Sequence, residues 1–437
     1  MKLSVVGLGK LGAPLAAALA SRGHSVVGVD LVPATVEAIN AGRAPVVEPG
    51  LQDLLDVTDG RLRATADIAD AVANSEVTFI LVPTPSGPDG GFVLDYVLPA
   101  LEQVGAAAAA KGERHLVVIT STVMPGSTDG PIREALERSS GLTVGEGIGL
   151  CYSPEFIALG SVVRDLLHPD LILVGESDPE SGQKLGDLMS SVVLTEPPVQ
   201  RMNLVNAELA KISVNTFVTT KISYANMLAE MCEQLPDADV DAVTAAIGLD
   251  SRIGSKYLKG ATPYGGPCFP RDNVALSRLA RSLGVTADIA EATDAINRRQ
   301  VDRLATRLVG RVPAGGRVAI LGLSYKPDTP VVEEAFGMGL AAALVEAGLA
   351  VDVHDPAALE SARSVLGSSV TYHDAASACL VGADAVVIAT PWPEFAELTG
   401  AAFDTGRKPL VVDCWRILPE ATTEALEVWH IGTGAQI

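Results

Sequence analysis

The segment Leu3-Ser4-Val5-Val6-Gly7-Leu8-Gly9-Lys10-Leu11-Gly12 decides the fold. Its first four residues read as a buried strand, and the G-x-G-x-x-G that follows reads as a turn into a helix. Gly7 permits the tight turn, Gly9 lets a pyrophosphate approach the backbone, and Gly12 lets helix and strand pack closely. The helix start then offers free N–H groups and a partial positive charge to phosphates. Alone the motif is weak, but here it has context. A second strand, Ser25–Val29, ends in Asp30, eighteen residues past Gly12. A carboxylate there suits a ribose 2′-hydroxyl and repels a 2′-phosphate, so NAD is expected rather than NADP.

Outward from this motif, β-branched runs alternate with Ala/Leu-rich helical stretches across the first 200 residues. Val77–Val82, Leu116–Thr120, Gly147–Tyr152 and Leu171–Val174 read as further buried strands. Continuous apolar strands separated by helices predict a parallel sheet covered on both faces. Asn203–Leu235 holds no Pro or Gly, and Pro236 ends it. A helix of that length, ~45 Å at 1.5 Å per residue, reads as a spine between domains or subunits. More helix runs to about Gly310, broken by the Gly/Pro-rich loop Gly260–Pro270. Strand–helix alternation then resumes with Val318–Leu321, Ala350–His354, Ala385–Ala389 and Leu410–Asp413. The expected fold is α/β, with two Rossmann-like doubly wound domains joined by a central helical domain containing one long helix. The boundaries fall near 200 and 310.

Composition narrows the function. The 437 residues carry 32 Lys+Arg against 53 Asp+Glu, a net charge of −21. That balance argues against a nucleic-acid or membrane-surface partner, each of which needs a basic face. An anionic ligand must instead be held by a few local cations and backbone amides. The N-terminal Met1-Lys2 and Ala18-Leu19-Ala20 superficially imitate a signal peptide, but Lys10 and three glycines interrupt the apolar run. No window has the ~18 apolar residues of a membrane span. Five scattered cysteines make neither a disulfide framework nor a zinc site, so no metal is expected, and the reducing cytoplasm is the default compartment.

One cysteine stands apart. Tyr264-Gly265-Gly266-Pro267-Cys268-Phe269-Pro270-Arg271-Asp272 is the densest special-backbone segment in the chain. It is expected to deliver Cys268 to the start of a helix, where the helix terminus and a nearby cation favour the thiolate. Asp272 lies one turn further on. Lys211 and Asn215 on the long helix have the same i, i+4 spacing and face one way. In the second α/β part Ile320-Leu321-Gly322-Leu323-Ser324-Tyr325-Lys326 begins like the first glycine motif without its full glycine set. Lys326 is available there for a phosphate.

With these motifs in order, the chain resembles the UDP-glucose/GDP-mannose dehydrogenase family over nearly its whole length. The series is Gly7–Gly12 with Asp30, then Pro45 with Glu48-Pro49-Gly50-Leu51, then Val82-Pro83-Thr84-Pro85. Ser121-Thr122-Val123 with Pro125-Gly126 follows, then Pro154-Glu155-Phe156, then Glu208, Lys211 and Asn215. Arg252-Ile253-Gly254 precedes the cysteine loop, and Tyr325-Lys326-Pro327, Asp355-Pro356 and Thr390 with Trp392 complete it. The resemblance implies a two-step oxidation of a sugar C6 alcohol to a carboxylate, consuming two NAD. Cys268 would capture the aldehyde as a thiohemiacetal, later oxidised to a thioester that water hydrolyses. Lys211 and Asn215 would stabilise the oxyanion, and Asp272, Glu155 and Thr122 would position or deprotonate a water. Gly7, Gly9, Lys10, Leu11, Gly12, Asp30, Pro83, Thr84, Ser121 and Thr122 would hold NAD. Phe156, Lys211, Tyr257, Lys259, Gly265, Lys326 and Arg416 would line the nucleotide-sugar site. Arg252 would reach the substrate of a neighbouring subunit across a homodimer formed by the 203–235 helix. Residues 1–200 become the NAD-binding domain, 201–310 the dimerisation and catalytic domain, and 311–437 the nucleotide-sugar domain.

Three departures from the family pattern bear on substrate and cofactor. A second acid four positions after Glu155 is replaced by Leu159, and a cofactor-binding arginine is replaced by Glu333. The sugar-reading arginine near the last strand comes one position late, as Arg416. Alternatives therefore stay open: a single-step β-hydroxyacid dehydrogenase, a 6-dehydrogenase of another nucleotide sugar (TDP-glucose, GDP-mannose or a UDP-N-acetylhexosamine), or a non-catalytic nucleotide-sugar sensor. UDP-glucose is the default substrate, on Phe269 and Pro154-Glu155-Phe156.

Overall fold

The computed structural model describes residues 1–403 and 408–434, and the chain divides into two compact units, Met1–Ser213 and Val214–Ile437. In the first unit β1 (Lys2–Val6), β2 (Ser25–Val29), β3 (Leu62–Thr65) and β4 (Val77–Ile80) are followed by β5 (His115–Ile119), β6 (Ile148–Tyr152), β7 (Ile172–Glu176) and β8 (Val199–Asn203). They form one sheet in the order β3-β2-β1-β4-β5-β6-β7-β8. Side chains alternate across it. Leu3 and Val5 of β1 enter one apolar core and Val6 the other, so both faces are covered. The first helix, Gly12–Ser21, is buried almost throughout, because its Ala and Leu side chains leave no polar stripe to hydrate.

The expectation of a wholly parallel sheet needs one correction. β7 runs antiparallel to β6, with Cys151 opposite Glu176 and Tyr152 opposite Gly175. Residues 153–171 contain only the six-residue helix Val162–Leu167, and neighbouring antiparallel strands need no crossover helix laid over the sheet. The neighbours β5/β6 and β7/β8 are parallel.

The long helix, Leu204–Cys232, has 29 residues, and the division between the two units falls inside it. The second unit continues through the helices Val240–Gly248, Phe269–Ser282 and Asp288–Val309. Its sheet contains β9 (Arg317–Leu321), β10 (Ala350–His354), β11 (Thr371–Tyr372), β12 (Ala385–Ile388), β13 (Leu410–Asp413) and β14 (Glu427–His430). These are parallel throughout, in the order β11-β10-β9-β12-β13-β14.

The two sheets repeat one local solution. After β1, Gly7 N–H donates to Val29 O at 2.8 Å; after β9, Gly322 N–H donates to His354 O at 2.8 Å. A Cβ on Gly12 would fall 1.7 Å from Gly7 O, and one on Gly337 would fall 2.0 Å from Gly322 O. In each case a helix packs backbone to backbone on the turn that leaves the first strand. In the second sheet, however, residues 323–335 intervene between turn and helix, and this segment carries Lys326.

Candidate active site

In the first unit the strand order reverses between β1 and β4, which opens the crevice where doubly wound sheets bind dinucleotides. Gly7 has φ +94°, and a Cβ there would lie 2.4 Å from Leu81 O. Gly9 is exposed, and a Cβ would meet nothing within 4 Å, so the space over the loop is open to a pyrophosphate. Lys10 and Leu11 form the exposed crest before the helix. Asp30 closes β2. One carboxylate oxygen accepts from Leu8 N–H at 2.8 Å and the other from Val32 N–H at 2.9 Å. The acid therefore fixes the glycine loop as well as facing the crevice. Opposite, Pro83 is exposed, Thr84 Oγ1 donates to Thr122 O at 2.7 Å, and Ser121 Oγ donates to Val82 O at 2.6 Å. The loops after β4 and β5 are thus stitched together, and these residues fit NAD.

The first turns of the long helix belong to this unit. Lys211 is 7% exposed, its Nζ donates to Glu155 O at 2.7 Å, and it lies 4.8 Å from the centroid of the Phe156 ring. Glu155 retains some exposed surface, yet protein surrounds its carboxyl closely enough that desolvation pushes its pKa up to about 7 against the pull of Lys211. A carboxyl poised there can both take and give a proton near neutrality. Leu159, which stands where the second acid was expected, packs against the apolar core of the sheet. The adjoining backbone is held by Glu48, whose carboxylate accepts from Gly160 N–H at 2.9 Å and Val162 N–H at 2.7 Å.

In the second unit Cys268 is the N-cap residue of the helix Phe269–Ser282 and is exposed, while Cys151, Cys232, Cys379 and Cys414 are buried. Burial pushes those four thiols up, away from the reactive thiolate. Asp272 N–H donates to Cys268 O at 2.8 Å, and the Asp272 carboxylate, 1% exposed, accepts from Asn215 Nδ2 at 2.6 Å. This unit therefore brings Asn215 and Asp272 together. The glycines are demanded by close approach. A Cβ on Gly265 would lie 2.3 Å from Glu334 O, and Gly266, at φ +83°, donates its N–H to Glu333 O at 2.9 Å. The Glu333 side chain is exposed while its backbone supports the cysteine loop.

Sequence reasoning missed the two amides that hold this loop. Asn226 accepts from Ala261 N–H at 3.0 Å and donates to Thr262 O at 3.3 Å. Asn297 accepts from Tyr264 N–H at 2.8 Å and donates to Tyr264 O at 2.9 Å. The available signal was an amide on the buried side of a helix, where a polar side chain needs a partner.

The remaining nucleotide-sugar candidates differ in their commitments. Tyr257, at φ +62°, is 53% exposed and packs edge-on to the Phe269 ring. Arg252 is 87% exposed at its side chain and folds back on Asp250 at 2.6 Å. Lys259 Nζ lies 3.3 Å from Asp241. Arg416, at φ +56°, donates to both oxygens of Asp239 at 2.8 and 2.9 Å and lies 3.2 Å from Asp241. Lys259 and Arg416 thus share the carboxylate of Asp241. Lys326 is half-buried in the 323–335 segment. Among the described residues no cluster of His, Cys, Asp and Glu could hold a metal ion, and no helix is long and apolar enough to cross a membrane.

Comparison with known proteins places these features. The UDP-glucose/GDP-mannose dehydrogenase profiles match in three segments: the NAD binding domain over residues 1–193, the central domain over 205–299 and the UDP binding domain over 319–420. A UDP-glucose 6-dehydrogenase of Haloferax volcanii is 38% identical, aligning 96% of this chain with 97% of its own. A GDP-mannose 6-dehydrogenase of Azotobacter vinelandii is 31% identical over 98% of this chain and 99% of its own. The structure of a UDP-glucose dehydrogenase from Pyrobaculum islandicum superposes with a TM-score of 0.90 at 38% identity, covering 99% of this chain and 97% of that one. With a glycine cradle fit for NAD, a C-terminal unit matching a UDP-binding domain and relatives aligned end to end, this chain belongs to the UDP-glucose/GDP-mannose dehydrogenase family of NAD-dependent nucleotide-sugar 6-dehydrogenases.

Proposed function

We propose that this dehydrogenase oxidises the C6 hydroxyl of UDP-glucose to the carboxylate of UDP-glucuronate, through a thiohemiacetal and then a thioester on Cys268. The observation that carries the reading is the contrast among the cysteines: Cys268 alone is exposed, at a helix N-terminus, on a loop held by Asn226 and Asn297. NAD, when bound, supplies the hydride acceptor for each oxidation. The chain's own groups do the rest. The positive end of the helix favours the Cys268 thiolate that attacks the C6 aldehyde. The Lys211 ammonium and the second N–H of the Asn215 amide stabilise the oxyanion, and Asp272 fixes that amide by accepting its first N–H. Glu155, with its raised pKa, removes a proton from the attacking water, which Thr122 helps to place. The choice of UDP-glucose leans on the Haloferax and Pyrobaculum relatives.

Residues 1–200 would then bind NAD and 311–437 the nucleotide sugar. Residues 201–310 supply the cysteine loop and, through the long helix, a homodimer contact. Five scattered cysteines with no disulfide framework suit a reducing compartment, and we assign the protein to the cytoplasm.

The test is NADH counted per sugar consumed across a panel of nucleotide sugars. Two equivalents are expected with UDP-glucose as the best substrate, and Cys268→Ala should not complete the oxidation. One equivalent with full activity in Cys268→Ala would mark a single-step dehydrogenase. Binding of a UDP-sugar without any NADH would mark a sensor.

A further inference from the structure

Glu208 is completely buried on the long helix, and no catalytic step uses it. Its carboxylate is gripped from both sides by the loop after β5. Oε2 accepts from Gly126 N–H at 2.6 Å and Oε1 from Thr128 N–H at 2.7 Å. Burial pushes the Glu208 carboxyl above the usual carboxylate range, and the two short bonds from backbone donors pull the other way by favouring the charged form. Capping a turn does not require a charge. A neutral acceptor satisfies a backbone N–H at much lower desolvation cost. The bidentate link does something a neutral cap does less well, which is to fix the loop and the helix in one register.

The bonded loop and the helix that carries Glu208 both lead to site residues. The loop that Glu208 holds starts at Ser121 and Thr122, and Thr122 O is the acceptor for Thr84 on the loop after β4. Lys211 lies three residues further along the helix, on the same face, and ties down Glu155 O at 2.7 Å. One turn of helix therefore grips the loop after β5 through Glu208 and the segment after β6 through Lys211. All of these contacts lie within Met1–Ser213. We propose that Glu208 is a positioning residue that sets the Thr122 loop and the Lys211 ammonium relative to each other at the dinucleotide crevice. The inference rests on the proposed roles of Thr122 and Lys211.

The decisive variant is Glu208→Gln, which keeps the shape but turns an NH2 toward one of the two N–H donors. Two measurements read it: the NAD dissociation constant by direct titration, and kcat and KM for the nucleotide sugar normalised to the fraction of Cys268 that alkylates in folded protein. The expected result is NAD binding weakened at least fivefold and kcat per site lowered at least tenfold, with the sugar KM within threefold of wild type. A role confined to stability would lower the yield of folded protein and leave kcat per site and NAD affinity unchanged, which would overturn the proposal. Should Glu208→Gln not fold, Glu208→Asp decides. Its shorter carboxylate keeps the charge but cannot span both donors, so it should shift NAD affinity in the same direction, and unaltered affinity would overturn the proposal. If wild-type protein oxidises no nucleotide sugar, the functional reading fails, while the NAD titration still judges Glu208.

Discussion

Glu155 concentrates the electrostatics of the site in one side chain. Desolvation raises its pKa to about 7 and Lys211 opposes the rise, so the carboxyl exchanges its proton in the range where an enzyme operates. As a base it acts only when ionised, so the step it serves should speed up as pH rises through about 7 and level off above. A pH–rate profile of kcat should show this limb in wild type and lose it in Glu155→Gln, with kcat down by about 10²- to 10⁴-fold. An unchanged limb in the variant would transfer the base role to another group. Leu159 makes this residue the more important, since the second acid expected nearby is an apolar side chain turned to the core.

At the scale of elements, a line of polar side chains crosses three neighbouring strands of the first sheet. Ser4 Oγ on β1 lies 2.7 Å from Thr78 Oγ1 on β4, which lies 2.7 Å from His115 Nε2 on β5. His115 is 1% exposed, and burial lowers its pKa to about 4. Between about pH 4 and 6.5 the unfolded chain binds a proton at this position that the folded chain refuses. The stability His115 gives is therefore complete above 6.5 and is lost as pH falls toward 4. At about 1.4 kcal/mol per unit the loss is of order 3 kcal/mol. Denaturant melts of wild type and His115→Gln should converge in stability as pH drops through this window; parallel curves would refute it. The same elements show what the sequence discloses. Strands buried on both faces, such as β2 and β12, stand out as apolar runs. The edge strands β3 (Leu-Arg-Ala-Thr) and β8 (Val-Gln-Arg-Met-Asn) do not, because water on their exposed positions permits any residue there. The site divides similarly. The glycine and cysteine motifs are contiguous and therefore readable, whereas Asn226 and Asn297 reach partners 33 to 36 residues away, which no local spacing records.

Over the whole molecule, a chain of net charge −21 leaves one long helix face without acid. Val205, Leu209, Phe217, Tyr224 and Met231 are 41–67% exposed and, at ~100° per residue, fall within an arc of about 120°. An uncharged aromatic and aliphatic stripe on an otherwise acidic surface suits a second copy of itself, in the self-complementary manner of a two-fold dimer. Phe217, the most exposed of the five, is the place to test it: wild type is expected to sediment as a dimer in sedimentation velocity, and Phe217→Glu, which would set like charges against each other across the axis, is expected to sediment as a monomer. The proposed dimer would also carry a catalytic signature. If Arg252, exposed and paired with the nearby Asp250, serves the site of the opposite chain, then Arg252→Ala and Cys268→Ala homodimers are each inactive. Unfolded, mixed in equal amounts and refolded, they form half their dimers as hybrids. In each hybrid one site has an intact cysteine from one chain and an intact arginine from the other, and the second site has neither. Activity should therefore recover to about a quarter of wild type. No recovery, with hybrids demonstrated by differential tagging, would place Arg252 in its own chain's site.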